Sequence, residues 1–164
     1  MKGEFLTLEQ LFERLEPGAH VLVSACLLGE RTRYDGSHKE DGELLDRLQE
    51  LSIRITPLCP ELAGGLAVPR PAAEPSSGTG VDVLAGESKI LTVADGVDVT
   101  PQFLSGAKAA TATARAVGAQ YAILQERSPS CGVFKTHSGG DLVNGPGVAA
   151  AALVAAGISV APSN

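Results

Sequence analysis

The chain has 164 residues, 44% of them apolar, three cysteines, no tryptophan and a formal charge of −6. That length suits one domain, which buries roughly 70% of its unfolded surface and folds without disulfides or metal. The acidic balance leaves no basic field for general nucleic-acid binding, and the apolar runs fall short of the roughly 20 residues of a membrane span.

Leu8, Leu11, Phe12 and Leu15 recur at helical spacing behind Thr7, a plausible N-cap, and the helix stops at Pro17-Gly18. The run from His20 to Ala25 is continuous and β-branched, reads as a buried strand, and opens into a polar loop headed by Cys26. Leu44, Leu45, Leu48 and Leu51 make a helical stripe, and a second apolar run, Ile53 to Leu58, again stops at a cysteine, Cys59. Pro, Ala, Ser and Gly dominate from Pro69 to Gly80, which reads as an irregular, mobile surface excursion. Ile90 to Val93 and Val97 to Val99 flank an Asp95-Gly96 turn and predict a hairpin. Thr100-Pro101 predicts a cap with proline at the first helical position, and an alanine-rich helix runs to Val117 with Gly118 as its stop. Tyr121 to Leu124 is a third buried strand before the loop holding Cys131; a Gly-rich loop from Gly139 to Gly147, a helix from about Val148 to Ala156 and a strand Ile158 to Val160 follow.

Alternating strands and helices predict an α/β fold: a single-domain three-layer sandwich, with a mostly parallel Rossmann-like sheet and a small β-hairpin excursion. Residues 1–18 are expected as an N-terminal helical extension and 19–164 as the α/β domain. Without a signal peptide the expected location is the cytoplasm, where three cysteines read as thiols or metal ligands rather than as a disulfide framework. Each cysteine lies just after a predicted strand, at the edge where ligands bind in such sheets. Taken singly, a free cysteine reads as a small core residue. Taken together, the three suit either a zinc site completed by His20, His38 or His137, or an iron–sulfur cluster with one iron left open, since full cysteine ligation takes four.

The order Ser24-Ala25-Cys26-Leu27-Leu28-Gly29, Arg33-Tyr34-Asp35-Gly36, Cys59-Pro60-Glu61 with Gly64-Gly65-Leu66 and Val68-Pro69-Arg70, Asp95-Gly96 with Asp98-Val99-Thr100, and Ser128-Pro129-Ser130-Cys131-Gly132 resembles the thiouracil desulfurase family. Two positions depart from it: Thr32 stands where relatives often carry cysteine, and Gln125 where a lysine is common.

The resemblance implies an iron-sulfur-dependent enzyme that removes sulfur from 2-thiouracil or 4-thiouracil, giving uracil and hydrogen sulfide by non-redox chemistry. It implies a [4Fe-4S] cluster held by Cys26, Cys59 and Cys131, whose open iron takes the substrate sulfur. The expected partner is a small thiolated base or nucleoside, with no membrane and no general nucleic-acid binding. The competing expectation is an iron–sulfur or redox sensing module without catalysis.

Glu61, two residues from a ligand, is the candidate to activate water and relay its proton, or else a solvated or helix-capping carboxylate. Ser128 is the candidate to orient substrate or relay a proton, and Ser130 to support the cluster loop, although Ser-Pro is also a turn signal. Arg33, Tyr34 and Asp35 read as contacts to a pyrimidine edge or as a turn pinned by a salt bridge. Arg70 and Glu74 read as lining an entrance or as an exposed ion pair, and the Gly139 to Gly147 segment as a flexible loop.

Overall fold

A computed structural model describes residues 2–163. In chain order the elements are α1 (Leu8–Arg14), β1 (His20–Ser24), a 3₁₀ turn (Ala25–Leu28), α2 (Gly42–Glu50), β2 (Arg54–Leu58), α3 (Pro60–Ala63), β3 (Ala73–Pro75), α4 (Gly80–Leu84), β4 (Ile90–Thr92), α5 (Thr100–Val117), β5 (Tyr121–Leu124), β6 (Lys135–Ser138), β7 (Asp141–Asn144), α6 (Val148–Ala155) and β8 (Ser159–Pro162). The central sheet is parallel throughout, in the order β2-β1-β5-β8. Helices cover both faces, giving the three layers expected.

Side chains alternate along each strand, so the two faces carry separate cores. Leu22, Ala122, Leu124 and Val160 pack with Phe103, Ala107, Ala110 and Ala114 of α5 and Leu153 of α6. Val21, Val23, Ile123 and Ala161 pack with Leu11 of α1 and Leu44 and Leu48 of α2. Each fully buried Leu, Ile or Val is worth roughly 1.5–3 kcal/mol, so these two layers hold the sheet. Leu11 is completely buried, and the preceding residues run along β8, where the Leu6 N–H donates to the Val160 carbonyl.

Helix α3 is seated by glycine. A Cβ on Gly106 would lie 2.0 Å from the Pro60 carbonyl oxygen, and one on Gly64 would lie 2.0 Å from that of Gln102. Backbone therefore meets backbone where α3 crosses α5, which fixes the helix that begins immediately after Cys59.

Several expectations are corrected. The Gly139 to Gly147 loop is instead largely the second half of a hairpin: β6 pairs antiparallel with β7 through a Gly139-Gly140 turn, both glycines in the left-handed region. The Pro69 to Gly80 excursion contains β3, whose antiparallel partner is β4. The hairpin expected over residues 90–99 survives as a tight turn with one bridge, Leu91 to Asp98. Thr100 is the first residue of α5 rather than its cap; its hydroxyl accepts from the Ile90 N–H, and the Asp98 carboxylate accepts from the Thr100 N–H.

Candidate active site

Because β2, β1 and β5 are adjacent and parallel, the residues that follow them emerge side by side at one sheet edge. Cys59, Cys26 and Cys131 all leave from that edge, and all three line one cavity of about 350 Å³. Strand order turns between β1 and β5, the crevice where α/β sheets bind ligands. Glu61 and Ser128 line the same cavity, as do Arg33, Tyr34, Arg70, Gln125 and His137. His20 stands at the start of β1, far along the strand from Cys26, with its ring bonded to Thr56. The His38 ring accepts from the Glu40 N–H.

Short polar links tie the strand ends together. The Cys26 thiol donates to Gln125 Oε1 at 2.9 Å, and the Gln125 N–H donates to Ser24 Oγ at 3.0 Å. Ser24 is buried and also sits against the Cys131 sulfur. Gln125 thus occupies its position as a neighbour of a cysteine, and Ser24 is a site residue that its place in an apolar strand disguised.

The Cys131 loop is built around two acceptors. Ser128 Oγ accepts from the N–H groups of Ser130 and Cys131, each at 3.2 Å, so Ser128 forms the turn and lines the cavity at once. The Glu126 carboxylate accepts from the backbone N–H groups of Arg127, Val133, Phe134 and Lys135. Nothing in the sequence marked Glu126, because all its partners are main chain. Arg127 beside it has φ 73°, a conformation that few non-glycine residues adopt. Ser130 is buried, and its carbonyl receives the N–H groups of Ala149 and Ala150 at the start of α6.

Arg70 overturns the reading of an exposed pair with Glu74. Its side chain is 5% exposed and pairs with Glu61, itself 17% exposed, through Nε to Oε1 at 3.0 Å. Glu74 accepts instead from the Gly140 N–H. In the Arg33 to Gly36 turn no Arg–Asp salt bridge closes the loop: Asp35 accepts from the N–H and hydroxyl of Ser37, and Arg33 donates to Ser37 Oγ. Those two side chains are spent on the turn, which leaves Tyr34, 43% exposed, at the cavity wall.

The three thiols are free. Burial pushes the Cys26 thiol up to about 11, with the neighbouring Cys59 charge adding to it and Arg33 opposing it. Burial also raises Cys131 strongly, again with Cys59, Cys26 and Glu61 contributing. The site gathers groups that repel one another when ionised, an arrangement that a positively charged metal centre would relieve. Among the described residues, no three His, Cys, Asp or Glu side chains converge as ligands of one ion. Full cysteine ligation of a four-iron cluster takes four thiolates, and this cavity offers three.

A family model described as 2-thiouracil desulfurase matches residues 21–164. The chain is 42% identical over 147 residues to YbbK of Bacillus subtilis (strain 168), an uncharacterized protein, covering 88% of this chain and 95% of that one. It is also similar to a solved structure of a [4Fe-4S]-dependent thiouracil desulfidase, TudS. That match has a TM-score of 0.76 and 38% identity, over 88% of this chain and 91% of the other.

Proposed function

The chain belongs to the 2-thiouracil desulfurase family, a family of enzymes, and we propose that it replaces the sulfur of a thiolated pyrimidine base or nucleoside with oxygen from water. The thiocarbonyl and water give the carbonyl and hydrogen sulfide, so no electrons are gained or lost. Cys26, Cys59 and Cys131 hold a [4Fe-4S] cluster in this reading, with one iron free of protein ligands. When bound, the cluster supplies a thiophilic Lewis acid that makes the carbon bearing sulfur more electrophilic.

The chain's own groups do the rest. Glu61 accepts a proton from water and returns one to the departing sulfur. Ser128, whose oxygen is fixed by two N–H donors, keeps its own O–H to offer the substrate. Cytoplasmic residence is part of the same proposal, since free thiols and a cluster suit a reducing compartment. Among the described residues no helix is long and apolar enough to cross a membrane.

The observation that carries this reading is the meeting of three free thiols and a carboxylate in one cavity at the edge of three adjacent strands. The test is anaerobic reconstitution, with iron and sulfide measured in each Cys→Ala variant and sulfide release followed from 2-thiouracil and 4-thiouracil. Each single variant is expected to lose most of its iron while remaining folded. A full cluster that releases no sulfide from any thiolated base would favour the sensing module instead.

A further inference from the structure

Arginine carries five N–H donors in a planar fork, and a carboxylate partner usually takes two of them. Arg70 distributes its fork differently. Nε donates to Glu61 Oε1 at 3.0 Å, Nη2 to the Thr32 carbonyl at 2.9 Å and Nη1 to the Ala67 carbonyl at 3.2 Å. Its own N–H donates to the Tyr34 carbonyl at 2.8 Å. The Thr32 carbonyl also lies 3.9 Å from Cys59 Sγ, and Thr32, Tyr34, Glu61 and Arg70 all line the cavity.

Two consequences follow from this geometry. Glu61 is anchored through one oxygen only, and Oε2 has no protein partner among the described residues, so it remains available to the cavity. The guanidinium also binds the carboxylate to the two loops that flank it, through carbonyls rather than side chains. At Thr32 the backbone oxygen is the part in use.

We propose that Arg70 is a positioning residue for the reaction, holding Glu61 with one carboxylate oxygen free and aimed at the substrate. This rests on the assignment of Glu61 as the proton relay. Lysine cannot reproduce the role, because an ammonium is a point charge on one atom and cannot span the three separate acceptors that Nε, Nη1 and Nη2 reach. Arg70→Lys therefore keeps the charge and loses the orientation.

The experiment is a double-mutant cycle on the anaerobically reconstituted enzyme, comparing wild type, Arg70→Lys, Glu61→Gln and the double variant. Iron content and the visible spectrum are measured beside steady-state turnover, and urea midpoints are measured on the cluster-free proteins. Arg70→Lys is expected to keep its iron and to lose about 10-fold to 100-fold in kcat, the scale of a displaced catalytic group, with KM within about 3-fold. In the Glu61→Gln background the same change should cost less than about 3-fold, because the carboxylate it positions is gone. The urea midpoints should likewise be non-additive, showing that the pair is coupled before any cluster binds.

An equal kcat loss in both backgrounds would overturn the proposal, because Arg70 would then act on the fold and not through Glu61. Loss of iron in Arg70→Lys would overturn it too, in favour of support for the cluster loop. Near-normal turnover in Glu61→Gln would refute the proton-relay assignment itself, and the positioning role with it. A damaging Glu61→Gln beside a harmless Arg70→Lys would refute the positioning role alone.

Discussion

Gly106→Ala tests whether the α3–α5 seam sets the position of Cys59 and Glu61. The new methyl would lie 2.0 Å from the Pro60 carbonyl oxygen and 2.8 Å from its carbon. Real Cβ contacts essentially never fall under 3.0 Å, so the helices must part by about 1 Å or more. Overpacking of this kind costs roughly 1–3 kcal/mol. Alanine in the interior of α5 returns about 1 kcal/mol in helix propensity. The net loss in global stability is therefore small, about 0–2 kcal/mol, and the displacement falls on the residue between Cys59 and Glu61. A shift of 1 Å at a reacting group can cost about 100-fold in rate. Urea unfolding of the cluster-free protein, beside iron analysis and sulfide release after reconstitution, separates the two effects. The expected pattern is a folded protein with reduced iron and turnover down about 100-fold. Ser105→Ala, on the exposed side of the same helix, should leave both unchanged. Full iron and wild-type turnover in Gly106→Ala, with stability raised by the propensity gain, would refute the claim that the seam places the site.

Glu61→Gln should keep iron and spectrum and lose about 100-fold to 10,000-fold in turnover, the usual range for general acid–base catalysis; Ser128→Ala should cost less if the hydroxyl only orients substrate. Glu126→Gln replaces an acceptor of four N–H groups with one that also carries donors, and should lower stability by about 2 kcal/mol and slow cluster uptake, measured by urea unfolding and by the reconstitution rate. Tyr34→Leu should raise KM for 2-thiouracil about 10-fold at unchanged kcat, and Tyr34→Phe should restore it, if the exposed ring stacks on the base; stacking of this kind is worth about 1–3 kcal/mol.

What the sequence disclosed, and what it hid, follows the nature of the interactions. β1 and β5 were legible because strands buried on both faces are continuous apolar runs, and β2, an edge strand in which only Leu58 is buried, because Ile53, Ile55 and Leu58 still mark it out before Cys59. The cavity followed from parallel pairing alone. The β6–β7 hairpin was hidden because Lys-Thr-His-Ser is polar and buries alternate residues only, while Asp-Leu-Val-Asn has just two apolar residues and buries neither fully, so the Gly-rich turn between them looked like a loop. The partner of Glu61 was hidden for a different reason: Arg70 lies nine residues on, beyond α3 and its glycine turn, and no local rule brings the two together. Glu126 escaped because its partners are backbone groups, which every sequence possesses. His137 carries no motif signal, yet β6 brings it to the cavity wall.

The spread of the three cysteines over neighbouring strands has a consequence for the lifetime of the protein. A cluster bound to all of them, as proposed, would be a covalent cross-link closing one loop of 33 residues and another of 72. On the chain-entropy estimate used for disulfides, each closure restricts the unfolded chain by roughly 4 kcal/mol, comparable to a large share of the 5–15 kcal/mol that holds a typical domain together. Oxygen, by dismantling the cluster, would cut both links at once and leave the fold standing on its two apolar layers. On the proposed ligation, exposure to air would be an event in the turnover of the protein as well as in its chemistry, the chain without iron being the one more open to proteolysis.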